Sequence, residues 1–396
     1  MRKFICIFLS IAMVFTCMIF SSSAQSTDNV QLQPMPTDTS LYISTEACPD
    51  AYITYVNQNV HRFIESVSFT ELTPGDTLTV GAPFAFSNEG SDIYYFPILR
   101  GSEILYTFRV FPVGDGEYSG ILGRSFVDEL NALAATTSAA TPLRMVMEGD
   151  TVAAYVGNTR SVIFEYPDGT FAEENTALTT ETATLTAATQ TVVNATVPSA
   201  EVAYTYTVPM VETRAIVDPS DTAFSWGFPF NDCQTINPWC SAHVAAAIIR
   251  CVTGLTNYPV ASDIADWIQG AGFYDPEASL PLDDVLAYAR QYYDIYPVYS
   301  GAQTFLQIKN EIRYVAPLMA VFRNLVSRPD GTHSYHAIAI YGYYHNGLIQ
   351  QLQIRNPWYD YGEVWDYGTI YVPATKTAEE YSYSYSYVVT NWNIVE

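Results

Sequence analysis

One stretch of the chain reads Gln234-Thr-Ile-Asn-Pro-Trp-Cys240 and continues directly into Ser241-Ala-His-Val-Ala-Ala-Ala-Ile-Ile-Arg250. The alanine-rich segment that starts at Cys240 predicts a helix over 240–252, and the Pro238-Trp239 pair stops this helix from extending backward. A helix N-terminus carries about half a positive charge and N–H groups without intrahelical partners. A cysteine in this first turn is therefore favoured as thiolate, its nucleophilic form.

A base for that sulfur must come from the four histidines that follow Cys240. His336 begins the apolar run His336-Ala-Ile-Ala-Ile-Tyr-Gly342, which predicts a strand over 335–341. A rigid strand holds an imidazole in place, as general-base catalysis requires. His333, expected in the approach loop, is the alternative base. His243 lies one turn along the same helix and cannot swing over the sulfur, and His345 is expected in a solvated turn.

A third group must orient the imidazole. Asn356 follows a predicted strand over 348–355, and Asn346-Gly347 predicts the hairpin turn that brings this strand back beside His336. Asn356 could then accept a hydrogen bond from the ring nitrogen that does not face the sulfur, and Trp358 could shield that bond. Taken alone, Asn356 is better explained as a turn residue before a proline.

Together these motifs resemble the papain-like cysteine peptidases, and most closely the staphopain branch. The resemblance covers the chain from about Asp221 to its end and rests on Asn237-Pro-Trp-Cys240, Gly331-Thr-His-Ser-Tyr-His336 with its strand, and Asn356-Pro-Trp358. Cys233, beside Gln234, departs from the family pattern and leaves the local disulfide state open.

The resemblance implies Cys240 as nucleophile, His336 as base, Asn356 as its orienting partner and Gln234 as an oxyanion donor. Trp239 and Trp358 would support them. It implies an α+β, papain-like fold over 221–396, with a helical subdomain and an antiparallel β subdomain, that hydrolyses polypeptide substrates through a Cys240 thioester without a metal or cofactor.

The same family implies an amino-terminal prosegment. Residues 42–170 are predicted as a separate α+β prodomain, an intramolecular inhibitor of the peptidase, after a flexible start over 25–41. Residues 171–220 are predicted as a linker and processing region that is rich in threonine and alanine over 176–196, where an edge strand is the alternative. The expected product is a monomeric zymogen.

Apolar periodicity predicts the remaining elements. Further helices are expected over 50–66, 126–133, 262–269 (with Ser262 as N-cap), 282–292 and 304–314. Further strands are expected over 92–99, 103–111, 145–147, 151–156, 161–166, 317–322 and 381–387, the last with tyrosines alternating with serines.

The first 24 residues predict a secretory signal peptide, with a basic start, an apolar run and small residues before Gln25. An uncleaved membrane anchor is the alternative reading. The expected location is extracellular, in a bacterium, without membrane attachment after signal removal.

Composition excludes several function classes. A formal net charge of −24 disfavours binding to nucleic acid or anionic lipid. The four cysteines after the signal are Cys48, Cys233, Cys240 and Cys251, which are too few for a disulfide scaffold and lack the Cys-x-x-Cys spacing of zinc sites.

Two other functions are compatible with these residues. A cell-wall amidase or transpeptidase would use the same cysteine–histidine pair. A catalytically inactive secreted binding module could use the 31 tyrosines of the chain as a contact surface.

Overall fold

Helices begin and end within two residues of their predicted positions. The computed structural model describes residues 40–68, 72–87, 92–114, 116–148, 151–165, 190–208, 222–235, 237–270, 275, 278–327, 333–346, 349–368 and 383–394. Within these residues the helices are α1 (Asp50–Ser68), α2 (Val127–Ala134), α3 (Cys240–Thr253), α4 (Ala261–Gln269), α5 (Leu282–Tyr293) and α6 (Phe305–Tyr314).

Strands make up most of the rest, so the fold is mixed α+β, as predicted. The first ten are β1 (Tyr42–Thr45), β2 (Thr77–Val80), β3 (Tyr94–Arg100), β4 (Glu103–Gly114), β5 (Glu117–Gly123), β6 (Leu143–Glu148), β7 (Thr151–Val156), β8 (Thr159–Glu165), β9 (Thr191–Asn194) and β10 (Thr205–Thr207). The others are β11 (Ala223–Ser225), β12 (Val298–Ser300), β13 (Leu318–Ser327), β14 (His333–Asn346), β15 (Ile349–Arg355), β16 (Glu363–Asp366) and β17 (Tyr383–Thr390).

Two sheets form among the described residues. The smaller has the order β8-β7-β6-β1-β9. The larger has the order β10-β2-β3-β4-β5-β16-β15-β14-β13-β17-β12, with β11 added on β14. Strands β3 and β4 form a hairpin, in which Arg100 pairs with Glu103 and Gly101 adopts the positive φ of 65° that this turn requires.

The larger sheet runs without interruption from the amino-terminal strands into the carboxyl-terminal ones. Its seam is the antiparallel pair β5–β16, with Val364 opposite Leu122 and Trp365 opposite Ile121. A buried ion pair between Arg109 and Glu363 joins β4 to β16 at the same place. The division into a 42–170 prodomain and a 221–396 peptidase domain stays a prediction, but the described parts of both share this sheet.

Alternation along β13 and β14 separates two cores. Leu318, Ala320, Ile338 and Ile340 face the cluster that includes α6 and several amino-terminal strands. Their neighbours Met319, Val321, Ala337 and Ala339 face a second cluster formed with α3, α4 and α5. The second cluster sets α3 against β14, and this packing brings Cys240, the first residue of α3, beside β14.

Three local predictions are wrong. Helix α4 starts at Ala261 rather than after a Ser262 cap, because the Asp263 carboxylate accepts the Val260 N–H at 2.9 Å. Strand β14 already begins at His333, so His333 is not in a loop. His345 lies inside the same strand, where its N–H donates to the Thr222 carbonyl at 2.6 Å and its ring contacts Phe305.

The linker prediction is wrong for part of its range. Strands β9 and β10 lie within 171–220 and pair with β1 and β2 at the outer edges of the two sheets. The edge-strand alternative is the correct one for 191–194, because β-branched residues suit a half-exposed edge. The remainder of the predicted linker is mostly outside the described residues.

Several further predictions fall outside the described residues. These are the signal peptide, almost all of the flexible start, Gly347 of the hairpin turn and the side chains of the alternating tyrosines. In the part of the chain that is described, every helix is too short or too polar to cross a membrane.

Candidate active site

Helix α3 begins at Cys240, as the sequence predicts. Trp239 precedes it with non-helical φ and ψ angles of −109° and 29°, and its buried indole donates to the Ala278 carbonyl at 2.9 Å. The residues from Ala242 to Arg250 are all buried, which fixes the helix axis against the sheet. Cys240 therefore sits in the first helical turn, whose N–H groups no carbonyl of the helix itself can accept.

The Cys240 sulfur lies beside the peptide bond that leads into His336. Its Sγ is 3.8 Å from the carbonyl oxygen of Tyr335, although 95 positions separate the two residues. Cys240 is half-buried and is a thiol, not part of a disulfide. The structure thus brings the sulfur of the predicted nucleophile next to the backbone that leads into the predicted base on β14.

Asn356 determines which nitrogen of His336 carries a proton. The Asn356 Oδ1 accepts the backbone N–H of Trp358 at 3.2 Å and lies 3.1 Å from Nε2 of His336. A backbone N–H can only donate, so the amide atom beside it must be the oxygen. An oxygen only accepts, so Nε2 carries the proton and Nδ1 is the basic nitrogen.

Trp358 covers the imidazole of His336. The two rings stack with centroids 4.1 Å apart and planes at 24°. His336, Asn356 and Trp358 are all buried. The shield expected from the sequence is therefore present, and it holds the ring in one plane.

Burial lowers the pKa of His336 from 6.5 to about 4, and the hydrogen bond with Asn356 opposes this only in part. The ring is accordingly neutral at pH 7, with its proton on Nε2. A neutral imidazole with an unprotonated Nδ1 can accept a proton, which is what a general base does.

This depressed pKa predicts a pH-dependent stability. Between pH 6.5 and about 4 the unfolded chain binds the His336 proton and the folded protein does not. The contribution of His336 to the unfolding free energy is therefore complete above pH 6.5, and it falls by about 3 kcal/mol as the pH is lowered to 4. Urea unfolding of Cys240→Ala at several pH values measures this fall without interference from the sulfur.

The matched variant is Cys240→Ala/His336→Gln, in which the other titrating groups are unchanged. The unfolding free energy of this double variant should fall less between pH 6.5 and 4, and the difference from Cys240→Ala should equal the contribution of His336. Equal pH dependence in the two proteins would contradict the buried neutral histidine.

Gln234 lies in the same site, but its amide is already engaged. Its side-chain Nε2 donates to the Asn237 carbonyl, and its backbone N–H donates to the Pro357 carbonyl at 2.8 Å. The residue is buried. An amide nitrogen has two N–H groups, so one remains to serve the predicted oxyanion role.

Sequence reasoning missed Asp232. His243 does not face the sulfur, as predicted; its Nδ1 lies 3.1 Å from the Asp232 carboxylate, and both side chains are largely buried. The available signal was the position of Asp232, two residues before Gln234. A lone aspartate in a loop has many ordinary explanations, and only the fold shows its partner.

The other cysteines differ chemically from one another. Burial raises the pKa of the Cys48 thiol and of the Cys251 thiol to about 12, so neither forms thiolate at neutral pH. Cys233 lies 3.7 Å from a guanidinium nitrogen of Arg355.

No group of three or more metal-ligating side chains occurs among the residues that the structure describes.

Comparison with known proteins gives little. No family model and no curated protein matches the sequence. Twelve chains of solved structures match. One comes from a study of limited antibody cross-reactivity between the mite allergens Blo t 1 and Der p 1; it is 13% identical, with a TM-score of 0.26 over 43% of this chain and 70% of that chain. A likeness of this size carries no argument about function.

Proposed function

We propose that this protein is a secreted cysteine endopeptidase of the papain-like type, made as a zymogen. The observation that carries the proposal is the 3.8 Å approach of the Cys240 sulfur to the peptide that precedes His336. The orientation of that histidine by Asn356 adds the third element of a nucleophile–base–orienter set. Gln234 and the N-terminus of α3 supply donors for developing negative charge.

The proposed reaction begins with Cys240. As its sulfur attacks the carbonyl carbon of the scissile peptide, its proton passes to Nδ1 of His336. The carbonyl oxygen becomes an oxyanion, which the Cys240 N–H and the Gln234 amide would stabilise. Loss of one such donor in other enzymes lowers turnover by about 10²–10³-fold.

The tetrahedral intermediate then collapses. The peptide C–N bond breaks, His336 returns its proton to the leaving amine, and the acyl group stays on sulfur as a thioester. Water, deprotonated by His336, attacks that thioester and releases the carboxylic acid, and the sulfur regains the proton. Asn356 keeps Nε2 protonated throughout, so that Nδ1 serves as acceptor and donor in turn.

The experiment that tests this function compares substrate classes. After trimming within 171–220, the purified protein should digest casein, and a thiol-directed epoxide should label Cys240 in preference to Cys48 and Cys251, whose thiol pKa values are raised to about 12. Release of amines from peptidoglycan with intact casein would instead favour the cell-wall amidase. Absence of both hydrolysis and labelling would favour the binding module.

The zymogen part of the proposal rests on the order of the segments. The amino-terminal strands join the same sheet as β14 and β15, so an inhibitory segment would already be folded against the peptidase part. We expect protein trimmed within 171–220 to cleave a fluorogenic peptide faster than the full chain. Equal rates for the two forms would contradict inhibition by residues 42–170.

A further inference from the structure

A buried polar network lies directly behind the loop that carries Gln234. Asp232 is its centre, because every oxygen of this residue is engaged. The Oδ1 atom faces Nδ1 of His243 at 3.1 Å, and Oδ2 accepts the N–H of Ala261 at the start of α4 at 2.8 Å. The backbone carbonyl accepts from Nη2 of Arg355 at 2.9 Å.

The network joins the elements that hold the proposed catalytic groups. His243 lies one turn after Cys240 on α3, and Arg355 directly precedes Asn356. A parallel link connects the Asn231 side-chain oxygen with the buried Arg250 of α3 at 2.6 Å. The loop over 231–235 is thereby fastened to the nucleophile helix on one side and to the end of β15 on the other.

The hydrogen-bonding groups of Asp232 and His243 are complementary. Burial raises the pKa of Asp232, but its interactions with His243, the Ala261 N–H and Arg250 together outweigh burial and hold that pKa below its ordinary value. The carboxylate is therefore ionised. His243 must donate from Nδ1, because the carboxylate oxygen and the Asp232 carbonyl, 3.2 Å away, can only accept.

We infer that Asp232 and His243 are positioning residues that hold the Gln234 loop against α3, so that the Gln234 amide faces the oxyanion. This inference rests on the proposed peptidase function. Neither residue needs to touch the substrate. Their contribution would be made through the geometry of the oxyanion site, which must be held within a fraction of an ångström.

A change in this pair should affect only the steps that form an oxyanion. In Asp232→Asn, turnover of a peptide substrate should fall about 10–10²-fold, less than the complete loss of an oxyanion donor, with little change in KM. The affinity for a peptide aldehyde, whose adduct with Cys240 carries a tetrahedral oxygen, should fall with it. Alkylation of Cys240 by iodoacetamide forms no oxyanion, so its rate should stay unchanged.

Two comparisons distinguish a positioning role of Asp232 from a general disturbance of the protein structure. In a Gln234→Ala background, Asp232→Asn should lower turnover little further, because the group that it positions is absent. Asp263→Asn, which alters another carboxylate at the start of α4, should leave turnover unchanged. His243→Phe is the second variant of the pair and should repeat the Asp232→Asn pattern.

Opposite results would overturn the inference. These are a parallel fall in alkylation and turnover, an equally large effect of Asp232→Asn in the Gln234→Ala background, or full activity in both pair variants. The proposed function is tested separately by the wild-type protein trimmed within 171–220: without Cys240-dependent hydrolysis, both ideas fail. With an active wild type and fully active variants, only the inference fails.

Discussion

Replacing Cys240 with alanine is expected to abolish peptide hydrolysis while the protein stays folded. The change removes one half-buried sulfur atom at the first turn of α3, so little packing is lost. It removes the atom that would form the thioester, and the remaining groups cannot substitute for a nucleophile. A continuous fluorogenic assay measures the loss, and circular dichroism with urea unfolding checks the fold.

Cys251→Ala is the matched control, since Cys251 lies on the same helix as Cys240, α3. Its thiol is largely buried and has a pKa raised to about 12 by that burial, so it should contribute nothing to catalysis. We expect this variant to keep wild-type turnover and epoxide labelling. Hydrolysis that survives in Cys240→Ala, or that is lost equally in Cys251→Ala, would eliminate Cys240 as nucleophile.

Replacing Glu363 with glutamine should have the largest effect on stability. Glu363 pairs with Arg109, both are almost fully buried, and the second carboxylate oxygen accepts from the Trp365 indole at 3.0 Å. Removing one charge of a buried pair leaves the other uncompensated, which costs about 3–5 kcal/mol in unfolding free energy. Urea unfolding monitored by tryptophan fluorescence measures the change.

The controls use a surface pair and a double change. Arg124–Asp128 is an exposed ion pair, so Asp128→Asn should cost less than about 1 kcal/mol. Arg109→Met/Glu363→Leu removes both buried charges and should recover most of the stability lost in Glu363→Gln. A Glu363→Gln protein as stable as the wild type would contradict the prediction, because it would show that Arg109 is not left as an uncompensated buried charge.

The same experiment examines how the two parts of the chain are coupled. Arg109 belongs to β4 and Glu363 to β16, and the ladder between β5 and β16 crosses the same seam. We expect a single unfolding transition that shifts as a whole in Glu363→Gln. Two transitions, with only one shifted, would show that the amino-terminal part folds independently of the rest.

The sequence by itself determined the elements that depend on near neighbours. The six helices of the described residues were predicted because their apolar spacing and ends are local properties. The positions of Cys240 at a helix start, of His336 on a strand and of Asn356 just after the neighbouring strand follow from the predicted elements. The order and spacing of these residues also pointed to cysteine-based chemistry. That chemistry stays a proposal, because the motifs name residue types and not distances.

Tertiary structure decided the rest. The proton position on His336 depends on Trp358 orienting the Asn356 amide, the partner of His243 is a loop aspartate, and strands β9 and β10 form inside a predicted linker because distant strands offer them an edge. The seam at β5–β16 and the Arg109–Glu363 pair join residues more than 200 positions apart. Local patterns cannot specify such contacts, because each depends on which surfaces meet once the whole chain has packed.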